Sequence, residues 1–220
     1  MALLHRAEIR PTKLALLAAW LPGRRWYSGP ADGEPVRVAA YRFDDPAGEV
    51  GIETMLVRVD AGPVHQVPLT YRGAPLADAD EWLIGTTHHS VLGPRWVYDA
   101  CGDPVYAAAL AAAILTGTGQ AQEYFETDGV RETREPSMTV TTVTAAEPPV
   151  ATGTGGAAVV GGVRQVGDGD PTRIGTDTVD LLVARRLPGA GLPGDGAVAT
   201  LAGSWPGQPA LLPLAHVLPR

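Results

Sequence analysis

Apolar residues recur at helical spacing near the start of the chain. Leu14, Leu17, Ala18 and Leu21 follow Thr12, a candidate cap, and precede Pro22-Gly23, a stop signal. The spacing predicts a short amphipathic helix. Three β-prone runs come next, Val36 to Phe43, Val50 to Val59 and Val64 to Arg72, separated only by Asp44-Asp45-Pro46-Ala47-Gly48 and Asp60-Ala61-Gly62-Pro63. Connections that short predict an antiparallel meander. In the third run Val67, Leu69 and Tyr71 alternate with Gln66, Pro68 and Thr70. This predicts one wet face and, since proline has no N–H for the ladder, an edge strand. Gly85 to Ser90 reads as a polar turn, and Arg95 to Tyr98 as a fourth strand completing the sheet. Asp103-Pro104 then opens a second helix. Tyr106, Ala109, Leu110, Ala113 and Ile114 form its buried stripe, and Gly117 ends it. Ser137 to Thr144 and Thr178 to Leu187 read as later strands, and Ala145 to Asp170, dense in glycine, reads as a flexible loop.

Ring distribution divides the chain of 220 residues. Ten of its thirteen aromatic residues precede position 116, whereas Gly plus Pro takes 27 of the 105 positions from 116 on. The expected fold is α+β: a curved antiparallel sheet packed against helices over residues 1–116, then a looser Gly/Pro-rich β extension over 117–220. Net charge is -7, with 10 basic and 13 acidic residues in the first 115 and 7 and 11 in the rest. Neither half has the basic footprint that nucleic acid or an anionic membrane demands. Cys101 is the single cysteine, which excludes an internal disulfide and suits a reducing compartment. The longest apolar run, Val105 to Leu115, is far short of the roughly 20 residues of a membrane span, and Met1 to Lys13 is broken by charges where a signal peptide would be apolar. A cytoplasmic protein is the expectation.

Candidate chemistry is sparse. Gly153-Thr154-Gly155-Gly156-Ala157-Ala158 matches G-x-G-x-x-A, but Pro148-Pro149 precedes it where a strand should, and Val159-Val160-Gly161-Gly162 makes a poor helix, so it reads as linker. His88, His89, Asp99, Cys101 and Asp103 lie close together without the spacing of a zinc site. Cys101 reads as a small buried thiol rather than a nucleophile. Ser204 lacks the flanking glycines of a nucleophile elbow, and the sole lysine, Lys13, belongs to the first helix, away from any phosphate-binding loop. The expected catalytic residues, cofactors and metals are therefore none. The segment Arg95 to Asp99 mixes rings with charges. On a strand Arg95 and Asp99 share one face with Val97, while Trp96 and Tyr98 share the other. It reads as core with an outward ion pair or as a recognition surface, with Arg95, Trp96, Tyr98 and Asp99 as the candidate partner or ligand residues.

Leu14 to Gly29, a helix followed by Arg24-Arg25-Trp26-Tyr27-Ser28-Gly29, resembles the opening of the N-terminal cap domain of bacterial maltokinases. Gln66 to Arg72 is similar to that cap's third strand, and Val97-Tyr98-Asp99 with Asp103-Pro104 to its closing strand and helix start. The resemblance covers roughly residues 10–115 and extends to small actinobacterial proteins that carry the cap without a kinase. It implies a cystatin-like sheet. Maltokinases transfer phosphate from ATP to maltose on the route from trehalose to glycogen, but their C-terminal lobe has no counterpart here, and Leu181 to Arg186 lacks lysine. The resemblance thus implies a non-catalytic cap-like module that binds a protein partner from among the α-glucan enzymes. The alternatives are the nucleotide-side part of a split or degenerate sugar kinase, or a carbohydrate-binding module on Trp96 and Tyr98.

Overall fold

The computed structural model describes residues 2–4, 7–127, 130–144, 160–188 and 196–220. After β1 (Ala2–Leu4) and β2 (Ile9–Arg10), Thr12 accepts a hydrogen bond from the amide of Ala15 and starts α1 (Lys13–Trp20). The expected meander follows as β3 (Pro35–Phe43), β4 (Gly51–Val59) and β5 (Val64–Arg72), all antiparallel. Next come β6 (Leu83–His89) and β7 (Gly93–Asp99). The polar turn expected at Gly85 to Ser90 is thus mostly strand: β6 pairs with β7 on one side and with the two-residue β2 on the other. Its Ile-Gly-Thr-Thr-His-His content reflects a place near the sheet margin, where few side chains need be apolar. Asp103 caps α2 (Pro104–Thr116), and Gly117, at φ +68°, ends it.

Beyond α2 lie β8 (Glu123–Thr127), β9 (Val130–Thr133), β10 (Thr139–Thr144), β11 (Val163–Val166), β12 (Thr172–Thr176), β13 (Val179–Val183), β14 (Arg186–Leu187), β15 (Ala199–Trp205) and β16 (Gln208–Pro219). The front sheet runs β2-β6-β7-β5-β4-β3, with β14 added to β5. It is antiparallel and strongly curled. A rear sheet runs β10-β15-β16-β13-β12-β11, and β1 joins β8 and β9 in a third, small sheet. Among the described residues the chain is mostly β with two short helices, compatible with an α+β class. The G-x-G-x-x-A string lies outside the described residues, as does 145–159 of the expected loop; the rest of that loop contains β11, paired with β12.

Each face of the front sheet has its own cover. Met55, Val57, Val67, Leu69 and Val97 pack beneath Leu17, Trp20 and Leu21 of α1 and its following turn, together with Trp26. On the opposite face Tyr41, Ile52 and Leu56 join Tyr106, Leu110 and Ile114 of α2 and Ile174, Leu181, Leu201 and Leu214 of the rear sheet in one buried cluster. Each such side chain contributes about 1.5–3 kcal/mol by leaving water. This second cover overturns the wet face expected of β5, because Gln66 and Thr70 are fully buried. Pro68 is likewise not on an edge strand. It lies opposite Thr54 of β4, and on its other side β7 begins pairing only at Leu69 while β14 pairs with Val64 and His65. Proline fits the gap between two partners, where no ladder donor is required.

The strand expected over Thr178 to Leu187 is two strands. Between β13 and β14 the chain leaves the rear sheet for the front one: the amide of Ala184 donates to Leu214 O, and Arg185 O accepts from the amide of Gln66.

Candidate functional site

At one end of the α1 face the front sheet opens into a cleft of about 440 Å³. Four elements supply its polar wall: Lys13 from the first turn of α1, Arg42 from β3, Tyr71 from β5 and Arg95 from β7. Glu53 of β4 joins them from below. Its carboxylate accepts a hydrogen bond from Tyr71 Oη at 2.9 Å, receives Lys13 Nζ as an ion pair, and has Arg42 at 3.8 Å. Lys13 also lies over the Tyr71 ring, 4.9 Å from its centroid. Burial alone would raise the Glu53 carboxyl. The charges of Lys13 and Arg42, with the hydrogen bonds from Lys13 and Tyr71, outweigh burial and hold it at about 2. Glycines make the room: a Cβ on Gly73 would meet Arg95 Nη1 at 2.9 Å.

The proposed surface residues go to different places. Arg95 lines the cleft and donates to Pro94 O at 3.2 Å, and Trp96 is half-buried. Tyr98 is buried, its hydroxyl accepting from the amide of Leu76. Asp99 is buried too, and its partner is Arg185 rather than Arg95: Arg185 Nη2 reaches both carboxylate oxygens, at 3.0 and 2.7 Å. Arg185 is fully buried. Its Nε donates to Thr172 Oγ1 at 2.7 Å, and its guanidinium lies 4.7 Å from the centroid of Trp26. Desolvation acts to lower the Arg185 pKa, and the Asp99 charge more than reverses it.

Other singled-out groups serve the framework. Burial pushes the Cys101 thiol well up, Asp103 holds Arg72 through two 2.7 Å bonds, and His89 Nδ1 accepts from the amides of Val91 and Leu92. No group of three or more metal-ligating side chains occurs among the described residues. The Arg-Trp-aromatic-x-Gly motif closes around His65: Trp26 lies 6.1 Å and Tyr27 5.0 Å from its ring, and the amide of Ser28 donates to Nε2. A Cβ on Gly29 would strike the Tyr27 hydroxyl at 2.3 Å, which gives that glycine its place.

Residues 20–103 match the family model of the maltokinase N-terminal cap domain. This stretch is cap-like. It takes in the Trp26 motif and β3 to β7, and stops at the residue that caps α2. No curated protein matches the chain. Sequence reasoning missed the Glu53 cluster, although a lone carboxylate inside Ile52 to Val57 was a usable signal, since a charge in an apolar strand needs a partner.

Two groups in the cap-like stretch set an acid limit. His65 is depressed to about 4, by burial first and then by Arg186, with Asp170 opposing in part. Its folded pKa lies below its unfolded value, so the stability it contributes is present above about pH 6.5 and falls as pH drops towards 4. Glu53 acts the same way from 4.5 down to about 2. Thermal melts between pH 8 and 2.5 should therefore decline in two stages, and His65→Asn should flatten the upper one. An unchanged upper stage in that variant would contradict the assignment.

Proposed function

We propose that the chain is a non-catalytic, cap-like module that works in the cytoplasm by binding a protein partner, an enzyme of maltose, trehalose or glycogen metabolism. The match of residues 20–103 to the maltokinase cap family carries this reading. On the same reading, the curled sheet under α1 is the cystatin-type cap of those enzymes, and residues 117–220 are an extension built onto its second face. The reactive side chains support it: Lys13 is committed to Glu53, the Cys101 thiol is buried, and Asp103 is committed to Arg72 and α2. The alternative of a split or degenerate sugar kinase has less support, because Arg185 is spent on Asp99 and Arg186 on Asp170. Sugar binding on Trp96 and Tyr98 has less again, since the Tyr98 ring is buried.

The test is co-purification from the native host followed by a two-component titration with each recovered α-glucan enzyme. Saturable binding to one of them is expected, together with no transfer of phosphate to maltose on adding ATP and magnesium. Recovery of the chain alone, or phosphorylation of maltose, would overturn the reading.

A further inference from the structure

Lys13, Arg42 and Arg95 line the cleft together with Asp44, Asp45 and Glu49. Glu53, beneath them, pairs with Lys13 and is approached by Arg42. The acids that line it have partners of their own or face solvent. Asp45 accepts from the amides of Ala47, Glu49 and Val50, while Asp44 and Glu49 are exposed. Arg42 keeps only a 3.8 Å approach to Glu53, and Arg95 donates to the carbonyl of its own neighbour. A guanidinium carries five donors in a fixed fork suited to carboxylate and phosphate oxygens, so two such groups in one partly enclosed space leave many donors unused. Ile9, Leu92 and the Tyr71 ring line the same cleft, and its volume falls within the usual range of small-molecule sites.

We propose that this cleft binds a small organic anion, its carboxylate or phosphate group held by Arg95 and Arg42. Glu53 and Lys13 act as positioning residues: Glu53 holds the Tyr71 hydroxyl and Lys13 in place, and the strong local field keeps it ionised. Arg95 is the principal anchor, and Gly73 leaves the space that its Nη1 occupies.

The test is isothermal titration of the native chain with citrate and with inorganic phosphate at constant ionic strength. It is repeated on Arg95→Gln, which removes no contact of the core, and on Gly73→Ala, which keeps the charge but displaces it. Saturable binding of at least one probe is expected, weakened about tenfold or more by Arg95→Gln, the loss that one charge-assisted hydrogen bond predicts, and weakened also by Gly73→Ala. The stronger probe identifies the preferred anionic group. Absence of saturable binding by both probes, or unchanged affinity in an Arg95→Gln protein with a native melting curve, would overturn the proposal. Neither result touches the protein partner, which is read out by a different titration.

Discussion

Arg185→Met is expected to lower the stability of the fold by about 3–5 kcal/mol, because it strands a buried carboxylate. Asp99 is 1% exposed, and among the described residues the donors left to it without Arg185 come from Cys101, whose amide lies at 3.2 Å. The change also removes the cation over Trp26 and the donor to Thr172 Oγ1. In a domain of this size the loss corresponds to a melting temperature lower by roughly 6–20 °C. Replacing both partners, Arg185→Met with Asp99→Leu, should recover much of it, since two apolar side chains of similar volume need no compensation. Chemical denaturation of the two singles and the double closes a mutant cycle. A single variant that loses less than about 1 kcal/mol would show that the pair is not desolvated as described.

Gln66→Leu is the second large effect. Gln66 is fully buried on β5, and its side-chain nitrogen donates at 2.9 Å to both Ala184 O and Leu214 O. One amide thereby ties the front sheet to the segment entering β14 and to β16 of the rear sheet. Leucine fills nearly the same volume, so the penalty is almost entirely that of unpaired groups. Leu214 O retains the amide of Ala184, but Ala184 O loses its donor, and the expected loss is about 2–4 kcal/mol. Amide exchange should then accelerate at Gln66 and Arg186 before it does in the centre of β4. Uniform acceleration throughout both sheets would argue that Gln66 is ordinary core rather than a tie between them.

These two residues show where sequence reading stops. The helices were legible because their signals are local: Thr12 and Asp103 cap within three residues, and Gly117 needs only its own φ. The three-strand meander was legible for the same reason, through its short turns. Alternation makes Gln66 and Thr70 look solvent-facing because it reports polarity and cannot report a second sheet supplied more than a hundred residues later. Strand alternation puts Asp99 on one face with Arg95, while its true partner lies 86 residues away. β6 was hidden by its polar content. Of the four candidate surface residues, Arg95 alone lines the cleft, and there it meets Lys13, Arg42 and Tyr71, contributed by three other elements.

The split partnership of β5 shapes the order of assembly. Its Leu69–Arg72 end finds β7 within about thirty residues, but its Val64–Gln66 end waits for a segment 118 residues further on. At ribosomal speeds of about 5–20 residues per second, that delay is roughly 6–24 s. For that interval a nascent chain presents half a strand with bare amides and carbonyls, a template for stray pairing. Pro68, just beyond it, contributes no amide to such a template and so limits how far a wrong partner could zip along β5.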